Sequence, residues 1–462
     1  MARMPDYQSS PARSSRLLLV PVLLLLVLGA GGLVLYRLLF EGGAPLVNLP
    51  QLPSHLGSRS DLTIEARDDG KGLRQVRAVL RQNQKEVELL SQTFPRASWF
   101  SQAGPPDFSG TIPLAPHLKG FRDGEASIEV RASDFSLRGM LRGNQTVLTR
   151  TVVIDTKPPQ LTLRHNQRHV SQGGSGIVIY QLDEPVQRHG VQVHDHFFPG
   201  YPLLEGRNDV QVALFALDWD AAETGKSWIE AVDVAGNRSR IDLIMTLKKR
   251  HVVEDSINIS DAFLATKLPE FQEHYPEMSG TSAERFHFVN NEVRTRNNAE
   301  FNEITKKSGP RRLWRDHFHR MFGSPKAGFA DVRSYYYNGH YIDRQVHLGV
   351  DIASTANVPI KAANHGQVLF TGYVGIYGNT VVLDHGQGLC SLYSHLQRID
   401  VSPGQDVTTG SVLGVSGTSG MAGGDHLHFS ILLGGVFVNP VEWWDQHWIE
   451  VNINGPVADA AR

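Results

Sequence analysis

Five residues near the C-terminus have types and spacings that suit a metal centre: His347 and Asp351 in HLGVD, His395 in YSHL, and His426 and His428 in DHLHF. In an extended strand, residues i and i+2 face the same side, so His426 and His428 can point into one cleft. The spacing of four in HLGVD likewise puts His347 and Asp351 on one strand face, and Gly349 between them permits close approach. Catalytic zinc typically takes three His or carboxylate ligands and leaves its fourth position to water. One Asp and two His would leave the ion a single net positive charge, lowering the pKa of a bound water toward about 7. The helical H-E-x-x-H pattern, which brings its own Glu as general base, is absent. The histidines not used as ligands are therefore the natural bases, and a nearby cation favours the neutral form a base requires.

These residues must be carried by strands. From Gly323 onward the sequence breaks into short runs separated by glycine turns: VPIKAANHGQVLF, NTVVLDH, GLCSLYSHL, SVLGVSG and DHLHFSILLGG. No stretch is helical enough for a parallel α/β sheet, so residues 323–455 are expected to form an all-β domain. Cys390, the only cysteine, alternates like a core residue of a strand. A lone cysteine excludes an intrachain disulfide and a Cys-based zinc knuckle. His365 and His385 stand in turn-like contexts and read as structural, His340 and His447 have no assigned role, and Trp443, Trp444 and Trp448 read as an aromatic seal on the β core.

Together, HLGVD, GLCSLYSHL and SGTSG…DHLHF resemble the signature of lysostaphin-type (LytM-type) zinc endopeptidases, which cut peptidoglycan cross-links. The similarity runs from about Tyr337 to Ile449. It implies His347, Asp351 and His428 as Zn2+ ligands and His395 and His426 as catalytic residues, with Tyr341 in the place of a tyrosine some members use. Two departures stand out: Asp425 where the family often has Pro, and Ser430 where it commonly has Glu. Asp425 could support a histidine or simply be a solvated loop residue. The resemblance implies a zinc metalloendopeptidase, a hydrolase of peptidoglycan. The alternative is a non-hydrolytic LytM-like regulator that binds and activates another cell-wall hydrolase; such relatives typically lose ligands, whereas this chain keeps the full set. A biotinyl-type carrier, suggested by PGQDVTTGSVLG, lacks its modifiable lysine, since no Lys follows Lys361. A pure scaffold would make the signature an accident.

The rest of the chain reads as a device for placing that domain. Residues 17–40 are almost wholly apolar and long enough to span a bilayer. Arg3, Arg13 and Arg16 precede them, so the positive-inside bias puts residues 1–16 in the cytoplasm and everything after Phe40 outside, in the periplasm of a cell with an inner membrane. A cleaved signal peptide ending near Ala30 is the rival reading. Alternating runs such as DLTIEAR and ASIEVRAS, punctuated by Asp69-Gly70 and Asp123-Gly124, predict two immunoglobulin-like β-sandwich modules over 55–157 and 158–250. These modules could bind a protein partner. Residues 251–322 read as a helical linker that includes RRLWRDHFHRMF; on a helix its His317 and His319 would point apart. The whole is thus mainly β with one transmembrane helix. With 45 basic and 47 acidic residues it carries no polybasic signal for nucleic acid.

Overall fold

The alternation of polar and apolar residues after Phe40 becomes strand through most of the chain, and the protein is mainly β. The computed structural model describes residues 16–462; the expected cytoplasmic tail with Arg3 and Arg13 lies outside the described residues. The apolar run forms one helix, Arg16–Leu39, whose Pro21–Leu39 portion is by length and composition able to cross a membrane. From Val22 to Leu38 its large apolar side chains are exposed.

Two compact units follow from the packing: Met1–Lys157 with Val234–Asn237, and Pro158–Asp233 with Arg238–Arg462. In the first, a three-stranded sheet (Leu46–Asn48, Ser60–Arg67, Asp107–Leu114) and a five-stranded sheet built on Leu73–Gln82 and Gly124–Asp134 share one apolar core. Ile64 from one sheet and Leu80, Ile128 and Val130 from the other are fully buried in it.

In the second unit, two four-stranded sheets bury Ile177, Val191, Phe215 and Ile229 between them. That core runs without a break into the C-terminal sheet, where Leu427, Ile431 and Val438 belong to the same cluster. Short helices at Pro440–Trp444 and Gln446–Ile449 make the join. The EWWDQHW aromatics do seal the core: Trp443 is fully buried and donates Nε1–H to Ser175 Oγ at 2.9 Å.

Glu442 at that join accepts the Ser175 N–H at 2.8 Å, yet burial pushes its carboxyl up from the usual 4.5 to about 7, against opposing bonds from Ser175 and Ser171 and the charge of Lys248. A raised carboxyl pKa contributes stability fully below the unfolded value near 4.5 and loses it as pH rises through about 7. Glu442→Gln is therefore expected to raise the melting temperature at pH 8, by on the order of 2 kcal/mol of stability. The same substitution should change little at pH 4.5, and equal shifts at both pH values would refute the assignment.

The linker is helical over Asp261–His274, Ser282–Phe288 and Arg294–Thr305, with Ser260 and a Thr281–Glu284 capping box at the first two N-termini. The helical expectation fails for RRLWRDHFHRMF. That run is extended because its backbone N–H groups serve the sheet domain: Leu313 donates to His385, Phe318 to Trp443 and His319 to Ala363. Trp314 and Phe318 are buried beside Trp443. In extended chain, residues i and i+2 share a side, so the His317 and His319 rings stack at 5.2 Å where a helix would have separated them. No third ligand joins them among the described residues.

Candidate metal centre and catalytic cleft

The C-terminal sheet places its functional residues by register. Its order runs Ser324–Ala327, Val350–Ala353, Leu427–Leu433, Leu389–Ile399, Gly378–Gly386, Gly366–Val374 and Asp406–Val407. Leu389–Ile399 is buried on both faces over its first eight residues, as its unbroken small-and-apolar run LCSLYSHL demands of a central strand. Within this sheet Asp351 lies directly opposite His428, and Ser394 opposite His428 on the other side. His347 precedes the Val350–Ala353 strand and swings back onto Asp351.

Three atoms then meet in a tight triangle. His347 Nε2 is 3.0 Å from Asp351 Oδ1 and 3.0 Å from His428 Nδ1, which is 2.9 Å from the same Oδ1. The outer bonds of both rings decide what these atoms are. His347 Nδ1–H donates to the Gly328 carbonyl at 2.8 Å, so Nε2 carries a lone pair. Ser430 Oγ–H donates to the Leu348 carbonyl at 2.7 Å, so its oxygen accepts from His428 Nε2–H at 3.0 Å and leaves Nδ1 bare. Two imidazole lone pairs and a carboxylate oxygen, all buried, therefore point at one place with no proton between them. Such a set repels itself unless a cation sits among it, and its donor types suit a divalent first-row metal. These three form the one group of converging His, Cys, Asp or Glu ligands among the described residues.

Ser430, read from sequence as a departure, thus fixes the tautomer of His428. Gly349 is needed for the same contact: a Cβ there would lie 2.6 Å from the His428 ring and from Ser430 Oγ. Asp425 supports no histidine. It accepts from Ser416 Oγ at 2.5 Å and from Asn357 N at 3.0 Å, stapling its loop.

His395 and His426 face the triangle from one side. His426 Nδ1–H donates to Gly424 O at 2.7 Å, and its Nε2 lies 3.5 Å from Asp351 Oδ1. His395 Nδ1–H donates to Ser419 O at 2.9 Å, and its ring is 4.8 Å from that of His426 and 5.7 Å from that of His428. Simple alternation would put His395 on the opposite face from Ser394. Instead Ser394 and His395 together oppose Thr380, a bulge between the Asn379–Leu396 and Val381–Tyr393 pairs, and His395 takes a left-handed φ of 61°. Bulges of this kind re-aim a side chain, and His is among the few residues that tolerate the left-handed region. Periodicity alone cannot show this.

Charge in the cluster is set by burial. Burial, reinforced by the neighbouring His426 and His428, holds His395 well below the usual imidazole range, and burial takes His428 down to about 4. Burial would raise Asp351, but the surrounding His347, His426 and His428 imidazoles, His347 foremost, hold it well below the usual carboxylate range. For His426 the Asp351 bond and charge outweigh burial and push it up.

Around this cluster lies a cleft of about 450 Å3. Its far wall comes from the linker, through Ile257, Ser260, Phe263, Phe286 and Arg294. The Asp261–His274 helix also grips the loop that supports the catalytic side: Glu270 accepts the Gly420 N–H at 2.6 Å and Lys267 donates to Thr418 O, flanking the Ser419 carbonyl that holds His395. Tyr341 is not brought here. It is 59% exposed near the hairpin turn and packs on Tyr336. A register shift between Tyr335 and Tyr336 leaves Tyr335 as the tyrosine of this hairpin that is buried at the cleft, a position only the hairpin register reveals. Arg333, which donates to Asp351 Oδ2 at 3.2 Å, also escaped the sequence reading, since a single Arg in an alternating run gives no signal.

Residues 345–440 match Peptidase family M23. The DD-carboxypeptidase/endopeptidase Mpg of Neisseria meningitidis serogroup B is 37% identical over 97 residues, 21% of this chain and 22% of that protein. The murein hydrolase activator EnvC of Escherichia coli is 36% identical over 95 residues, 21% of this chain and 23% of that protein. Among solved structures, the catalytic domain of lysostaphin from Staphylococcus simulans is 26% identical, covering 26% of this chain and 92% of that one, with a TM-score of 0.23. The match thus spans less than a quarter of the length of these curated relatives. The sheet that carries the His–Asp–His triangle is accordingly the C-terminal M23 peptidase domain of this chain.

Proposed function

We propose that the C-terminal domain is a zinc metalloendopeptidase that hydrolyses peptide cross-links of peptidoglycan. The observation that carries this reading is the convergence of two bare imidazole nitrogens and a carboxylate oxygen beside two further imidazoles whose outer nitrogens are tied to carbonyls. His347, Asp351 and His428 would hold zinc, which would supply Lewis acidity for the scissile carbonyl and for a nucleophilic water. His395 and His426, both with Nδ1–H committed, present Nε2 to the reacting centre: one removes the proton of the attacking water, and the other donates to the developing charge or the leaving amine. Tyr335 and Arg333 wall the cleft beside them. The Arg16–Leu39 helix anchors the chain in the inner membrane with its N-terminus inside. The immunoglobulin-like modules set the reach of the periplasmic domain toward the wall and offer a surface to a protein partner.

The name of the meningococcal relative makes a D,D-amide the first bond to assay. Residues beyond the anchor should contain about one zinc per chain and release products from cross-linked muropeptides, resolved by mass. A chelator should abolish release and added zinc restore it. No zinc and no cleavage would end the enzyme reading and favour the activator role borne by the Escherichia coli relative.

A further inference from the structure

The linker's contribution to the cleft includes a buried polar network. Between two helices, Val289–Val293 forms a single π-helical turn, a wide turn often found at functional sites. It holds Asn290, which has no solvent exposure although its neighbours Val289 and Val293 belong to an apolar core. Burying an amide there is costly unless each of its polar atoms is bonded. Asn290 Nδ2 donates to Asp343 Oδ2 at 2.9 Å, and Asp343 is itself buried and held by Gln345 Nε2 at 3.0 Å and by Arg344 N at 2.8 Å. The remaining Asn290 oxygens serve Arg294: Oδ1 accepts from Nη2 at 2.6 Å and the backbone carbonyl from Nε at 3.1 Å.

The product of this chain of bonds is a guanidinium fixed along one edge and facing the cleft. Arg294 Nη1 has no acceptor, and Arg294 no acidic partner, among the described residues. It lines the same cleft as the metal cluster, with Tyr377, whose ring is 5.4 Å from that of His428. Charge in the cleft is unbalanced in the same sense. Asp351 is the single acid lining the cleft and is paired with Arg333, so the Arg294 guanidinium faces the cleft with no acidic partner in its lining. A planar, pre-oriented guanidinium with free N–H groups is matched by a carboxylate.

We propose that Arg294, positioned by Asn290 and Asp343, binds a free carboxylate of the substrate peptide close to the cleaved amide, and so selects carboxylate-bearing over amidated cross-links. The choice of a peptide ligand rests on the peptidase reading above; the anionic character of the ligand does not.

The test uses a cross-linked muropeptide dimer with free stem carboxylates and its carboxamide twin. Binding of each to the chain beyond the anchor is measured by calorimetry, alongside cleavage. The wild-type protein should bind the acid about ten- to hundredfold more tightly than the amide, the range of a hydrogen bond to a charged group. Arg294→Ala should erase that preference, and Arg294→Lys, which keeps the charge and guards against a folding artefact, should retain a few-fold of it. Equal wild-type affinities, or a preference that survives Arg294→Ala, would overturn the proposal. A preference lost in Arg294→Ala without any cleavage by the wild type would uphold the carboxylate site and sink the peptidase reading alone.

Discussion

His395→Ala should abolish muropeptide cleavage, by about a hundred- to ten-thousandfold, while zinc content stays near one per chain. The asymmetry follows from geometry. His395 is not part of the triangle; its ring stands beside those of His426 and His428, and its Nδ1–H is spent on Ser419 O. Its loss removes a neutral imidazole that burial keeps ready to accept a proton, and no ligand. One complication is the left-handed φ of 61° at this position. Alanine there is strained by about 1–2 kcal/mol, which could blur a loss of chemistry with a loss of fold. His395→Asn is the better companion, because Asn tolerates that region. Both variants should be equally inactive, and the Asn form should melt closer to wild type. Loss of zinc from either would show that His395 is a ligand and that the division of labour among the histidines is wrong.

Asp351→Ala should do the opposite damage: zinc is lost and the fold is weakened with it. Asp351 Oδ1 is the shared corner of the triangle, and Oδ2 accepts from Arg333, whose side chain is 19% exposed against 10% for Asp351. Removing one partner of a largely buried ion pair leaves the other uncompensated, a cost of about 3–5 kcal/mol. Asp351→Asn keeps the shape and one acceptor oxygen for Arg333 but not the negative charge, so it should lose most of the zinc and destabilise less than Ala. Elemental analysis and thermal melting in chelator read the two effects separately. An Asp351→Ala protein that keeps stoichiometric zinc would contradict the ligand set. One that melts like wild type in chelator would show that the Arg333 pair carries no stability.

How legible was this in the sequence? The strand period was enough to put His426 and His428 on one side of a strand, and the resemblance of HLGVD and DHLHF pointed to the right domain, because these are local signals. The bulge that turns His395 inward is not local: it depends on Thr380 standing opposite two residues of the neighbouring strand. Ser430 reads from sequence only as a departure, because its role is visible only when the Leu348 carbonyl lies beneath it. Tyr341 was chosen by distance along the chain, whereas the hairpin register selects Tyr335. RRLWRDHFHRMF was misread as helix because apolar residues four apart fit both a helix face and an extended run, and only tertiary partners for its N–H groups decide between them.

The core shared between the Pro158–Asp233 sheets and the peptidase sheet bears on ancestry as well as on stability. A cassette can be exchanged between genes only if both of its faces can stand in water. Here Trp443 is inserted against Ser175, and Phe215 and Ile431 belong to one apolar mass. A lineage that transplanted the catalytic sheet alone would inherit an open hydrophobic wound. The piece that packs as one is therefore larger than the 345–440 stretch that the family signature marks out. Recombination within this lineage should leave the Pro158–Asp233 sheets and the C-terminal sheet together.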